Sequence, residues 1–173
     1  MKKTLLLLFT FIVSSCAGIK VNYDYDKNTS FNNYTTYNYF PNMVTGLSDL
    51  DAKRLLDAVD ANMAAKGILL AEEPDFLINI QSRSYQGQRN NALGVGLGGT
   101  GRRVGGGVSI GIPVGQPNVE LELQFDFIDS QKNVLFWQGV SQSGYKDGLS
   151  PIAREQRLRE IANKVFTKYP PKR

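Results

Sequence analysis

The chain has 173 residues, no histidine, one cysteine and a formal charge of +4. The absence of histidine excludes Ser-His-Asp and Cys-His catalysis and the commonest zinc ligand, and one cysteine cannot form an intrachain disulfide. We therefore expect a protein that is not an enzyme and holds no metal or cofactor, although catalysis by carboxylates alone is compatible with this composition.

The N-terminus has the pattern of an export signal. Lys2 and Lys3 precede an apolar run at 5–13 that is too short to span a bilayer as a permanent helix. The run leads into Val13-Ser14-Ser15-Cys16, which resembles the lipobox of bacterial lipoproteins. In that family the cysteine carries a diacylglycerol, the chain is cut just before it, and the new amino terminus is acylated by a fatty acid such as palmitate. The alternative is an ordinary secretory signal followed by a coincidental cysteine.

Lipidation would define the mature protein and its location. Removing a signal peptide at 1–15 from the 173 residues leaves 158, which suits a single domain at 16–173, and lowers the charge from +4 to +2. This small charge makes nucleic acid a poor partner. Two or three acyl chains would hold the protein on a membrane durably. Ala17 stands where some bacteria place an inner-membrane retention Asp, so the resemblance implies the outer membrane, on its periplasmic face or at the cell surface.

Two strands are predicted close to the lipidation site. Residues 19–26 alternate apolar and polar side chains, and 34–40 are rich in β-branched and aromatic residues. Only Ala17 and Gly18 separate the first strand from Cys16. Because an extended residue covers at most about 3.3–3.6 Å, the fold would begin within roughly 10 Å of the lipid headgroups.

The same region carries a family resemblance, through Tyr25-Asp26, Phe31, Tyr34 and Thr36-Tyr37. These residues are similar to the opening of a bacterial lipoprotein family described as domain of unknown function 4136. The resemblance extends more loosely along most of the mature chain. It implies the family's fold and an envelope location, and it transfers no catalytic residue because the family has no assigned chemistry.

A helix and a strand are predicted next. Ser48, with Asp51 three residues later, is typical of a helix start, and Lys66-Gly67 is typical of a helix end. Between them apolar residues recur at helical spacing. They are Ala52, Leu55, Leu56, Val59 and Met63. The alternation of Phe76, Ile78 and Ile80 then predicts a strand that faces this helix.

Residues 94–111 contain nine glycines. Gly94, Gly96 and Gly99 match a dinucleotide-binding pattern in spacing, but no predicted helix follows to receive a phosphate. Apolar residues alternate with glycine on both sides of Arg102 and Arg103, which predicts a hairpin or flap with the arginines near its tip. Our hypothesis is that Arg102 and Arg103 contact anionic headgroups or a partner.

The last third of the chain predicts two strands and a helix. Residues 119–129 alternate strictly between apolar and polar side chains, and 134–143 form a partner strand. Ser150-Pro151 starts a helix with a continuous apolar face, which ends at Pro170-Pro171. We therefore predict an α+β fold in which two amphipathic helices pack on one face of a mostly antiparallel sheet.

Two sets of acidic residues are candidate sites. Asp24 and Asp26, joined by Glu72, Glu73 or Asp75, have the oxygen ligands that calcium prefers, although a solvated strand face explains Asp24 and Asp26 better. The second set comprises carboxylates that alternate along the 119–129 strand. They are Glu120, Glu122 and Asp126. Because paired carboxylates can hydrolyse glycosides, a carboxylate-based hydrolase is a third possible function. It is the weakest of the three, because the chain has no histidine and its one cysteine would be acylated.

Aromatic side chains offer a different kind of site. Tyr23, Tyr37 and Trp137 are candidate ligand-facing aromatics, with packing in the core as the alternative. Taken together, the sequence favours a non-enzymatic, lipid-anchored envelope protein of structural or interaction type. Its expected partners are the membrane and another envelope protein. The alternative is a lipoprotein that binds a small apolar or glycan ligand between its sheet and helices.

Overall fold

The computed structural model describes residues 18–86, 119–145 and 148–172. Cys16, Arg102, Arg103 and the glycine-rich segment at 94–111 lie outside these residues. The elements of the described chain follow in order. They are β1 (Lys20–Tyr25), a 3-10 turn (Phe31–Asn33), β2 (Thr36–Tyr39), α1 (Asp49–Ala65), β3 (Leu69–Leu70), β4 (Phe76–Gln86), β5 (Val119–Asp129), β6 (Leu135–Tyr145) and α2 (Pro151–Phe166).

The strands form one six-stranded sheet in the order β1-β6-β5-β4-β2-β3. The β1–β6, β5–β6 and β4–β5 pairs are antiparallel, whereas β2 runs parallel to both β4 and β3. The predicted α+β fold with a mostly antiparallel sheet is confirmed. Within the described residues, neither helix is long and apolar enough to cross a membrane.

The core lies between the sheet and the two helices. Along β5 every second side chain from Leu121 to Phe127 is buried, while the intervening polar residues are partly exposed. The apolar face of α2 and the Leu55, Val59 and Met63 face of α1 belong to the same cluster of buried residues. Burial of these two helix faces against one side of the sheet explains their amphipathic sequences.

Both helices begin as predicted. The Ser48 hydroxyl accepts a hydrogen bond from the Asp51 amide, and the Ser150 hydroxyl accepts one from Ala153 in front of Pro151. After α1, Gly67 adopts a positive φ of +75°, the left-handed conformation that glycine allows at a helix end.

The strand registers bring several chain positions to one end of the sheet. Lys20 pairs with Gln142, while Val119 pairs with both Tyr145 and Gln86. We call this the proximal end, because the described chain also starts there. Gly18 lines a small surface depression together with Glu120 and Gly144. The opposite, distal end carries Asp129 and Leu135.

Candidate functional site

The three candidate aromatics occupy different environments. Trp137 is fully buried and Tyr37 is 2% exposed, whereas Tyr23 is 42% exposed. The Trp137 ring lies 4.7 Å from Phe127 and 5.3 Å from Tyr169, measured between ring centroids. Tyr37 lies on β2, separated from Trp137 on β6 by the whole width of β5 and β4. Tyr37 and Trp137 are therefore core residues and do not face a ligand between sheet and helices.

The core around Trp137 depends on a glycine. Gly139 is buried two residues further along β6. A Cβ atom there would lie 2.5 Å from Trp137 Cη2 and 2.9 Å from Val165 Cγ1 of α2. The missing side chain leaves room for the Trp137 ring and for Val165 of α2 next to the Gly139 backbone, so helix and sheet meet without space for a ligand at this point.

Two aspartates organise the distal end. Asp129 Oδ2 accepts a hydrogen bond from the Tyr34 hydroxyl at 2.8 Å, and the Tyr34 ring stacks on Phe136 at 4.1 Å. Asp75 Oδ2 accepts the backbone amides of Thr35 at 2.8 Å and Thr36 at 2.9 Å. The Tyr34 and Thr36 positions that carry the family resemblance therefore hold the start of β2 against β4 and β5.

The electrostatics of this corner follow from those contacts. Burial, and then the hydrogen bond to Asp129, raises the pKa of Tyr34 to about 12. The Thr35 amide, followed by the other donors, lowers the pKa of Asp75. Burial of Asp129 opposes ionisation, but hydrogen bonds from the Lys132 amide and Tyr34 outweigh it and lower its pKa. These side chains stabilise a loop junction and are already hydrogen-bonded within the protein.

A third carboxylate, Asp60, binds two tyrosines. The hydroxyls of Tyr37 and Tyr39 both donate to Asp60 Oδ1, at 2.6 Å and 2.5 Å. Burial is the largest cause, and the bonds to Asp60 the next, of a raised pKa at both tyrosines. No sequence pattern predicts this contact, because β2 and α1 are brought together only by the fold. The three side chains fasten the helix to β2.

A fourth carboxylate, Asp51, lies at the proximal end. Asp51 is buried and accepts Arg54 Nη1 at 2.6 Å, Arg154 Nη1 at 2.8 Å and the Tyr145 hydroxyl at 3.1 Å. Burial opposes its ionisation, but the hydrogen bonds from Arg54 and Arg154 outweigh that effect and lower the pKa of Asp51. One carboxylate thus joins the first turns of α1 and α2 to the last residue of β6.

The acids considered for calcium are not assembled. Asp24 lies on β1 at one edge of the sheet and Asp26 just follows that strand, whereas Glu72 and Glu73 follow β3 at the other edge. Asp75 is engaged with Thr35 and Thr36. Among residues 18–86, 119–145 and 148–172, no group of three Asp, Glu, His or Cys side chains is placed to hold a metal ion.

The carboxylates of β5 lie on the sheet face that points away from the helices. Glu122 accepts Gln142 Nε2 at 3.0 Å, and Asp126 accepts Gln138 Nε2 at 2.7 Å. We call this surface the open face. It is defined by Gln81, Arg83, Glu120, Glu122, Gln124, Asp126, Gln138 and Gln142. It is a polar ladder across three neighbouring strands, which suits contact with another surface better than enclosure of a sugar.

Comparison with known proteins gives a family and distant structural neighbours. A family model described as "Domain of unknown function (DUF4136)" matches residues 21–171, which confirms the resemblance seen in the sequence. Comparison with curated proteins gives no match.

Solved structures share the fold at low sequence identity. A PDZ domain protein from Parabacteroides distasonis ATCC 8503 is 16% identical with a TM-score of 0.55 over 91% of this chain, which spans only 36% of that protein. A PelC dodecamer from Paraburkholderia phytofirmans is 8% identical with a TM-score of 0.52, over 90% of this chain and 100% of PelC. A second PelC dodecamer structure gives 10% identity and a TM-score of 0.50, over 87% and 95%.

Proposed function

The chain belongs to the family described as domain of unknown function (DUF4136), and from that premise we propose that it is a lipid-anchored envelope protein that works by contact and not by catalysis. The fatty acids are attached at Cys16. The location is the outer membrane. The partner is another envelope component, bound through the polar surface of the sheet.

One observation carries the anchoring proposal: the lipobox-like Val13-Ser14-Ser15-Cys16 stands directly before the fold. Ala17 and Gly18 are the only residues between Cys16 and Ile19, and β1 begins at Lys20. An ordinary secretory signal needs no cysteine at its cleavage site. Here the sole cysteine of the chain occupies that position, and it is placed where an acyl group would hold the domain directly against the bilayer.

The non-catalytic part of the proposal is supported by how the acidic side chains are used. Asp51, Asp60, Asp75 and Asp129 each accept hydrogen bonds that join separate elements. Catalytic acids are typically left free to exchange protons with a substrate in a cleft. The burial of Tyr37 and Trp137 likewise gives little support to a ligand between sheet and helices.

The anchoring proposal is tested by fractionating cells that produce Cys16→Ser. We expect the wild-type protein in the outer-membrane fraction in processed form, and the variant unprocessed. The matched control is Ser15→Ala, which keeps a small residue before the cysteine and should be processed and fractionated like the wild type. Normal processing of Cys16→Ser would contradict lipid attachment at this residue.

The contact proposal is tested by photo-crosslinking in intact cells. A photoreactive amino acid at Gln81, which is exposed near the middle of the open face, should repeatedly capture the same envelope component. The same group at Asp57, exposed on α1 on the other side of the molecule, is the control. Equal capture at both positions, or none at Gln81, would contradict a partner on the open face.

A further inference from the structure

Two aliphatic side chains are exposed at the start of the two helices. Leu50 is 66% exposed in the first turn of α1, and Ile152 is 78% exposed in the first turn of α2. The first turn of a helix favours acidic side chains because of the helix dipole, and an exposed Leu or Ile gains no such electrostatic stabilisation there. Neither side chain contributes to the core cluster. Their exposure points to a contact outside the domain.

The two side chains lie at the same end of the molecule. Asp51, next to Leu50, accepts a 2.8 Å hydrogen bond from Arg154, two residues after Ile152. Asp51 also accepts the hydroxyl of Tyr145, the last residue of β6. Leu50 and Ile152 therefore flank one hydrogen-bonded junction at the proximal end of the sheet.

The proximal end is also where the chain leads back to Cys16. Gly18 shares a surface depression with Gly144, which directly precedes Tyr145 in β6. Gly18 is two residues after Cys16, so their Cα atoms lie at most about 7 Å apart. A lipid-anchored domain with so short a tether must hold this end close to the bilayer.

We propose that the proximal end is a membrane-docking surface, in which Leu50 and Ile152 enter the boundary between headgroups and acyl chains of the bilayer that holds Cys16. This inference rests on the proposed lipid anchor and adds an orientation to it. In this orientation the long axes of β4, β5 and β6 run away from the membrane surface, with the distal end farthest from it. The open face is then presented sideways to partners in the envelope.

The distal end also exposes aliphatic side chains, and distance excludes it from the same role. Leu69 is 64% exposed and Leu70 is 59% exposed on β3, near the Phe76–Asp129 pair. Between the two ends, β5 runs for 11 residues, which is about 34 Å at the usual rise of a strand. The tether cannot bring that end to the membrane while the proximal end also touches it.

The contact is apolar and not driven by charge. The exposed charged residues in the first two turns of the helices carry both signs, with Asp49 and Glu155 beside Lys53. Such mixed charge gives no preference for anionic lipid. Vesicles of neutral phosphatidylcholine are therefore the appropriate probe.

The test uses the lipidated full-length protein in phosphatidylcholine vesicles. Because the sole native thiol would be acylated, a single introduced cysteine can carry an environment-sensitive fluorophore. Leu50→Cys and Ile152→Cys are the reporters, and Leu69→Cys is the matched control because Leu69 and Leu50 are almost equally exposed, at 64% and 66%. Spin-labelled lipids serve as quenchers confined to the membrane.

We expect severalfold stronger quenching at positions 50 and 152 than at 69, with emission shifted to the blue only at the first two. Equal quenching at all three positions, or stronger quenching at 69, would overturn the docking surface. Vesicle flotation in the same samples reports the anchor separately. Protein that floats without the quenching difference sinks the docking inference alone, whereas protein that fails to float sinks the lipid anchor and the docking with it.

Discussion

Gly139 sets how closely β6 and α2 approach. The space that a side chain would take at Gly139 is occupied by the edge of the Trp137 ring and by Val165, so the indole is enclosed between strand and helix. Gly144 on the same strand has no heavy atom within 4 Å of the position where its Cβ would lie. Both glycines lie on β6, but an added methyl group would collide with the core at Gly139 and would meet open space at Gly144.

Gly139→Ala should destabilise the protein by about 1–3 kcal/mol, the usual cost of forcing extra volume into a packed core. The free energy of unfolding, measured by urea denaturation, checks this. Gly144→Ala is the control and should change it by less than about 0.5 kcal/mol. A Gly139→Ala protein as stable as the wild type would contradict the close packing of Trp137 against α2.

Asp75 gives a pH-dependent prediction at the same scale. Its carboxylate accepts the Thr35 and Thr36 amides, and its folded-state pKa is lowered from the ordinary value, about 3.9 in an unfolded chain. Because the folded-state pKa is lowered, ionised Asp75 stabilises the fold fully at pH values above the unfolded-state pKa. This stabilisation is lost as the pH falls through the folded-state pKa. Asp75→Asn should therefore cost about 1–2 kcal/mol at pH 7.

The Asp75→Asn difference should shrink as the pH falls below about 4, because Asp75 is then protonated in the unfolded chain first, while its lowered pKa keeps it ionised in the folded protein. Denaturation curves of both proteins between pH 7 and pH 3 measure it. Asp51 and Asp129 also have lowered pKa values, so both proteins lose stability on acidification and only their difference reports Asp75. A difference that stays constant over this range would show that the charge of Asp75 is unimportant.

At the scale of elements, Asp51 holds three of them together. It joins α1, α2 and β6 through Arg54, Arg154 and Tyr145. The two arginine side chains remain 21% and 27% exposed, so each keeps part of its hydration. The carboxylate is the buried member, and its removal would leave two guanidinium groups without their common acceptor.

Asp51→Ala should lower the free energy of unfolding by about 3 kcal/mol, the lower end of the range for breaking a buried ion pair, because both arginines stay partly solvated. Thermal and urea unfolding measure the change. Asp57→Ala on the exposed side of α1 is the control and should stay within about 0.5 kcal/mol of the wild type. A similar small effect at both sites would mean that the junction is unimportant for stability.

The sequence predicted most elements because their patterns are local. The alternation at 119–129 gave β5 with its observed bounds, and Ser48 and Ser150 marked the starts of both helices. Local patterns cannot show β3, which has two residues and depends on pairing with β2. They also cannot show the bulge in β6. Phe127 of β5 pairs with Trp137, but the next residue, Ile128, pairs with Leu135, so Phe136 is the extra residue and both Phe136 and Trp137 are buried.

The contacts of the candidate site residues are less predictable from the sequence, because they join distant parts of the chain. In the sequence Asp75 is a candidate calcium ligand and no pattern marks Asp60, yet each accepts hydrogen bonds from the β2 region. Tyr37 and Trp137 are residue types that often contact ligands, and only the packing of strands and helices places them in the core. Composition shows that a side chain is aromatic or acidic, whereas the fold decides what it touches.

At the scale of the whole molecule, the layout has two ends and two faces. The helices cover one face of the sheet and leave the other polar, while the start of the described chain and both helix starts lie at the proximal end. An acyl anchor at Cys16 would orient such a body with respect to a membrane. In the proposed arrangement, the orientation of the domain, and with it the direction in which the open face meets a partner, depends on that one modification.

The most direct measurement is the intact mass of the mature protein extracted from envelopes, with fragmentation of its N-terminal peptide. The account predicts a chain that begins at Cys16 and carries diacylglycerol on sulfur, with a further fatty acid on the amino group. An N-terminus elsewhere, or Cys16 with an unmodified thiol, would contradict it.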